Sequence, residues 1–208
     1  LKLAQAIRHK MRMTAKDYRK SLGKLREKIN VLERNMCENT FENIIFNEIP
    51  GAAHTNYRKA LKRETNCNEE SSVSRKELSS RYREYLTDLQ NGKETIKSSG
   101  LHPHTIVKYY TELSEVDEVL ESQWKNIVNK VKSKGTFSQA LAIVDVSGSM
   151  GGEPMMASMA LGLIVAECTS GPFNNKVISF HEKPTWEHIP DDTLLSKVNK
   201  IKNMKWGG

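Results

Sequence analysis

Residues 140–149 read ALAIVDVSGS, a continuous apolar run that passes directly into a polar loop containing a glycine. Such a run is typical of a central strand that is buried on both faces of a parallel sheet. The apolar residues 155–167 predict a helix after the loop, and residues 176–180 and 184–189 predict two more strands, the last one short and formed as a hairpin. An amphipathic segment over residues 193–203 predicts a final helix. This order of elements predicts an α/β sheet.

The loop after the first predicted strand carries three oxygen-bearing side chains at alternate positions, Asp145, Ser147 and Ser149. Ligands of open α/β sheets bind at this carboxyl end of the strands. One carboxylate and two hydroxyls are hard oxygen donors, which suit Mg²⁺ or another divalent cation in an octahedral shell completed by water. Gly148 and the Gly151-Gly152 pair allow the tight backbone path that such convergence needs. We therefore predict a metal site made of Asp145, Ser147 and Ser149, electrophilic enough to accept a carboxylate from a partner.

Other interpretations of this loop compete with the metal site. Asp and Ser are common turn residues, so an incidental turn at the strand end stays open. A hydrolase nucleophile at Ser149 is disfavoured, because a nucleophile elbow needs Gly two positions earlier and Ser147 stands there. A phosphatase of the haloacid type would need a second Asp at position 147. We expect no enzyme, no catalytic residue and no site for an organic cofactor.

Residues 1–134 predict short antiparallel helices joined by polar turns. One apolar stripe has alternating steps of four and three residues, which predicts a helix that packs on neighbouring helices or forms a short coiled coil. Its members are Tyr18, Leu22, Leu25, Ile29, Leu32 and Met36. Thr14 and Asp17 resemble a capping box and place the start of this helix near Ala15. The expected fold class is α plus α/β, with a helical segment over residues 1–134 and a sheet domain over residues 137–208.

The net charge of +7 comes from the N-terminal part of the chain. Within the first 34 residues, eleven Lys and Arg face three Asp and Glu. Such an excess could track the phosphates of RNA through Coulomb attraction and counterion release. It could equally be a solvated helix face, and the sequence leaves both interpretations open.

The cysteine count and the hydropathy limit where the protein acts. Three widely spaced cysteines without a C-x-x-C pair disfavour a disulfide framework or a zinc site, so we expect reduced thiols and an intracellular, cytoplasmic location. No apolar run approaches the ~18 residues of a membrane helix, so we expect no membrane partner. The chain begins at Leu1 and ends at Gly208, and we expect an internal fragment.

Residues 142–150, AIVDVSGSM, closely resemble the first metal-binding loop of von Willebrand A domains. The predicted hairpin strand is similar to the antiparallel edge strand of that fold. The resemblance implies a metal-ion-dependent adhesion site with Asp145, Ser147 and Ser149 as ligands. A complete site of that kind adds a Thr from a second loop and usually an Asp from a third. Residues 204–208 resemble the approach to that Thr, so the resemblance implies a truncated domain that holds Mg²⁺ weakly.

Together with the helical part, the chain resembles a plant and giant-virus family with a domain of unknown function, which is similar to the Ro autoantigen (TROVE) proteins. Residues 8–12 (RHKMR) and 101–104 (LHPH) carry the helical part of this resemblance. In Ro-like proteins a ring of helical repeats precedes an A domain and binds small RNAs. The resemblance implies a metal-dependent binding or scaffold module that recognises an acidic group of a protein partner. The alternative is RNA binding through the basic helices, and a third possibility is a plain structural assembly protein.

Overall fold

The fold is mixed α+β, as the sequence predicts at this coarse level. It is taken from a computed structural model that describes residues 2–65, 72–180 and 182–204. In these ranges the helices are α1 (Lys2–Lys10), α2 (Ala15–Lys28), α3 (Leu32–Glu38), α4 (Gly51–Leu61), α5 (Val73–Gln90), α6 (Pro103–Glu112), α7 (Glu118–Lys132), α8 (Glu153–Cys168) and α9 (Leu194–Lys202). The strands are β1 (Ala142–Val144), β2 (Lys176–Ser179) and β3 (Trp186–His188).

The chain forms two compact units. The first comprises Leu1–Phe46 and Ala60–Tyr82, and the second comprises Asn47–Lys59 and Arg83–Gly208. Helices α6 and α7 belong to the second unit together with the sheet, so this division by contacts does not follow the predicted boundary between residues 134 and 137. The domain assignment from sequence stays a prediction.

Helix α2 in the first unit begins where its capping residues place it. The Thr14 side chain accepts a hydrogen bond from the Asp17 N–H at 3.1 Å, and its hydroxyl donates to Asp17 Oδ2 at 2.6 Å. The predicted apolar stripe is not one continuous helix, because α2 ends at Lys28 and Leu32 and Met36 lie in α3. Leu32 is buried as predicted, whereas neither α1 nor α2 buries a residue. Leu25 is 56% exposed and Ile29 is 69% exposed. Periodicity identifies the apolar face of a helix, whereas its coverage depends on the tertiary structure.

The helices of the second unit are joined by buried polar contacts. Arg58 of α4 forms an ion pair of 2.7 Å with Asp117, and both side chains are mostly buried. The other oxygen of Asp117 accepts hydrogen bonds from the Val119 and Leu120 N–H groups and so caps α7. Buried Gln123 of α7 donates to the Gly51 carbonyl, 3.0 Å away. These contacts hold α7 against α4.

The sheet of the second unit has the order β1-β2-β3. β1 and β2 are parallel, with Val144 opposite Ser179, whereas β2 and β3 are antiparallel. Helix α8 packs against β1 so closely that a Cβ at Gly162 would lie 2.4 Å from Val144 Cγ2. Helix α6 packs on α8 in turn. The buried face of the sheet therefore lies under α8.

The prediction that the first strand is buried on both faces is wrong. β1 lies at the edge of the three described strands, and Ile143 is 66% exposed while Val144 is fully buried. Successive side chains of a strand point to opposite faces. Ile143 shares its row with Ile178 and Trp186 on the other sheet face, where Trp186 is also exposed. An apolar run alone does not reveal that one of its two faces stays open.

Candidate metal-binding site

The predicted ligand residues lie in the loop that joins β1 to α8. Asp145 directly follows β1, and a short 3₁₀ turn over Gly148–Met150 leads to the start of α8 at Glu153. The Phe180 N–H donates to the Val144 carbonyl at 3.1 Å, which extends the parallel pairing to the base of the loop. The loop therefore stands at the carboxyl end of two parallel strands, where ligands of α/β sheets bind.

The two serine hydroxyls of this loop lie together, with Ser147 Oγ and Ser149 Oγ 3.0 Å apart. Adjacent ligands of an octahedral Mg²⁺ with bonds of 2.0–2.1 Å are about 2.9 Å apart, so this separation fits two neighbouring positions of such a shell. The same distance suits a hydrogen bond between the hydroxyls in the absence of a cation. The separation of the two hydroxyl oxygens is therefore compatible with a bound cation.

Asp145 is half-buried and one of its oxygens already has a role within the loop. Oδ1 accepts a hydrogen bond from the Ser147 N–H at 2.9 Å, which fixes the turn. Oδ2 accepts no hydrogen bond from the described part of the chain. The carboxylate thus orients the backbone that carries Ser147 and keeps one oxygen for a cation or water.

Helix α8 holds the backbone of Asp145 in place through a hydrogen bond. The Asp145 N–H donates to Ser158 Oγ at 3.1 Å, and Gly162, one turn further along α8, contacts Val144. Neither residue is predicted from the sequence as part of the site. The available signal was their spacing, since small residues four apart on a helix allow a strand to approach closely.

Only one of the glycines in the loop is required by its backbone conformation. Gly152 has φ +89°, a conformation that L side chains rarely adopt. A Cβ at Gly148 would meet nothing within 4 Å, and one at Gly151 would make an ordinary contact at 3.4 Å. The sharp entry into α8 therefore depends on Gly152, which corrects the expectation that all three glycines are needed.

The donor chemistry of the loop favours a hard cation. In the described ranges no three His, Cys, Asp or Glu side chains gather in a way that could hold a metal ion. The nearby His104 pairs with Glu153 at 3.3 Å, at the first residue of α8. The candidate set is thus one carboxylate and two hydroxyls, which with water would suit Mg²⁺ better than a soft metal. Residues 205–208, which carry most of the segment similar to the approach to a further Thr ligand, lie outside the described residues.

Two families match the chain, one after the other. A domain of unknown function (DUF2828) matches residues 2–137, and a second domain of unknown function (DUF7788) matches residues 139–208. An uncharacterized protein of Acanthamoeba polyphaga mimivirus is 42% identical over 208 residues, which is 100% of this chain. The chain spans about a third of that relative's length, 36%. No solved structure matches the chain significantly. The predicted link to a giant-virus family of unknown function is thereby confirmed: the chain belongs to the DUF2828 family.

Proposed function

We propose that the C-terminal part of this chain is a von Willebrand A-like binding module that holds Mg²⁺ at Asp145, Ser147 and Ser149. The observation that carries this proposal is the pair of hydroxyls 3.0 Å apart at the carboxyl end of β1. The similarity of residues 142–150 to the adhesion-site loop of A domains adds to it. The helical part then acts as the scaffold that carries the module.

The partner that suits such a site is a protein with an accessible carboxylate. A divalent cation held by a single carboxylate keeps half of its formal positive charge, because the two serine hydroxyls are neutral. A carboxylate from a partner would replace a water in the shell and neutralise that charge. Among the residues that the structure describes, the hydroxyls of the two serines have a side-chain hydrogen bond only to each other, and we therefore propose binding rather than catalysis as the function of the module.

Manganese binding to the full chain tests the metal site. Mn²⁺ prefers the same oxygen donors as Mg²⁺, and its free form is quantified by electron paramagnetic resonance. We expect one saturable site per chain that Mg²⁺ competes for and that Asp145→Ala abolishes. The matched control is Asp191→Ala, which removes an exposed carboxylate before α9 and should leave binding unchanged. Equal binding by the two variants would rule out the proposed site.

The partner is tested separately with a carboxylate probe. Acidic peptides immobilised on a sensor should capture the chain in Mg²⁺ and release it in a chelator, and Asp145→Ala should prevent capture. Capture that continues in the chelator would contradict a metal-bridged contact.

A further inference from the structure

The two N-terminal helices expose part of their apolar side chains to solvent, whereas Tyr18 and Leu22 of α2 are half-buried. On α1, Leu3 is 74% exposed and Ile7 is 38% exposed, and on α2 the exposed positions are Leu25 and, at its C-terminal end, Ile29. Each pair is four residues apart and so lies on one side of its helix. Isolated exposed apolar residues are common, and a one-sided pair on each of two successive helices is the observation from which we infer an interaction surface.

Cations border these stripes closely. Residues 2–34 carry eleven Lys and Arg against three Asp and Glu, and one of these acids, Glu27, pairs with Arg34 at 3.4 Å. On α2, Arg26 and Lys28 are both exposed, and at 100° per residue they fall on opposite flanks of the stripe that contains Leu25 and Ile29. Long cationic side chains in such positions can extend sideways past an apolar surface toward anionic groups.

Three partners carry enough negative charge to attract these helices: RNA, an acidic protein and an anionic lipid surface. RNA is contacted by cations and by aromatic rings that stack on bases. Residues 2–34 contain a single aromatic residue, Tyr18, so the aliphatic stripes would contribute nothing to RNA binding. An acidic protein would need a groove matched to both stripes. A bilayer rich in anionic lipid supplies acyl chains for the stripes and headgroups for the flanking cations at once.

We propose that α1 and α2 bind the surface of an anionic lipid bilayer, with their apolar stripes in the interface and Lys and Arg against the headgroups. No helix in the described ranges is long and apolar enough to cross a bilayer, and this binding mode requires none. The expectation from sequence of no membrane partner considered only spanning segments. The present proposal rests instead on the exposed stripes and the cations beside them.

Vesicle co-sedimentation of the full chain tests this surface. The chain should sediment with vesicles that contain phosphatidylserine and stay in solution with vesicles of phosphatidylcholine alone, and added salt should weaken the binding. Leu25→Asp/Ile29→Asp should reduce the bound fraction at least about tenfold, because two carboxylates then enter the interface. The matched control is Val73→Asp/Val116→Asp, which changes two exposed valines outside α1 and α2 and should lose much less.

A second variant controls for unfolding of the first, and an RNA titration distinguishes lipid binding from RNA binding. Arg26→Gln/Lys28→Gln keeps the stripe and the helix, should preserve the circular dichroism spectrum, and should reduce binding to phosphatidylserine vesicles severalfold. Equal sedimentation with both vesicle types, or an unchanged bound fraction for Leu25→Asp/Ile29→Asp, overturns the proposal. RNA binding measured by fluorescence anisotropy, without vesicle binding, also overturns it and supports the RNA alternative.

Discussion

At the scale of single residues, Asp145 is held by two hydrogen bonds of opposite sense. Its N–H donates to Ser158 on α8, and its Oδ1 accepts from the Ser147 N–H. The first bond fixes where the loop leaves β1, and the second fixes the direction in which Ser147 presents its hydroxyl. Ser158 is therefore a positioning residue for the proposed metal site, although it is not a ligand.

Ser158→Ala should weaken the metal site and slightly destabilise the fold. The Asp145 N–H then loses its partner, which costs about 1 kcal/mol in the free energy of unfolding. We expect Mn²⁺ affinity to fall severalfold, and Ser158→Thr, which keeps a hydroxyl, to restore most of it. The control is Ser138→Ala at an exposed serine. If Ser158→Ala matches this control in both urea unfolding and Mn²⁺ titration, the Ser158 contact does not position Asp145.

His54, fully buried in α4, makes the stability of the protein depend on pH. Burial lowers its pKa to about 4, against an opposing effect of the nearby Asp117 carboxylate. Between pH 6.5 and about 4 the unfolded chain takes up a proton at this histidine and the folded chain does not, so stability falls as the pH falls through this window. The expected loss from this residue is up to about 3 kcal/mol.

Urea unfolding at pH 7, 5.5 and 4.5 measures this dependence. His54→Leu should lower the stability at pH 7 but flatten its change with pH. A variant that keeps the pH slope of the parent chain would show that another group is responsible.

At the scale of elements, the contact between α8 and β1 depends on the absence of a side chain at Gly162. A Cβ there would lie 2.4 Å from Val144 Cγ2, which is too close for any real contact. Helix and strand would have to separate, and the loop that carries Asp145 begins at the end of that strand. The packing of this pair therefore bears directly on the geometry of the site.

Gly162→Ala should destabilise the protein by about 1–3 kcal/mol through overpacking. Gly23→Ala makes the same change in α2, where a Cβ meets nothing within 4 Å, and should stabilise by up to about 1 kcal/mol through helix propensity. Opposite shifts of the urea midpoint are the expected result. Destabilisation by Gly162→Ala should shrink in a Val144→Ala background, which removes the clashing methyl groups. Shifts of the same sign would contradict the contact.

Local signals predicted several elements well and tertiary contacts poorly. Thr14 and Asp17 gave the correct start of α2, and the helices predicted over residues 155–167 and 193–203 agree with α8 and α9. Which elements meet in space decides how exposed Ile143 and Ile29 are. It also decides what Ser158 and Gly162 contact. Periodicity along one segment does not contain that information.

At the scale of the whole molecule, the sequence allows the candidate ligands to be named but not the compact unit that surrounds them. Asp145, Ser147 and Ser149 follow a strand, and their spacing alone indicates oxygen-donor chemistry. The compact unit that contains them also includes most of α4 and all of α6 and α7, which the sequence assigned to a separate helical segment. The chain spans 36% of its mimivirus relative, and the activity of the whole protein is therefore a proposal built on this part.

The most direct test of the metal site is a ¹H–¹⁵N NMR titration of the full chain with MgCl₂. If the metal is held by Asp145, Ser147 and Ser149, the amide resonances of residues 145–152 should shift saturably, with a smaller shift at Ser158. These shifts should disappear in Asp145→Ala. Amides of this loop that stay unmoved at saturating Mg²⁺, or shifts that persist in Asp145→Ala, would contradict the proposed site.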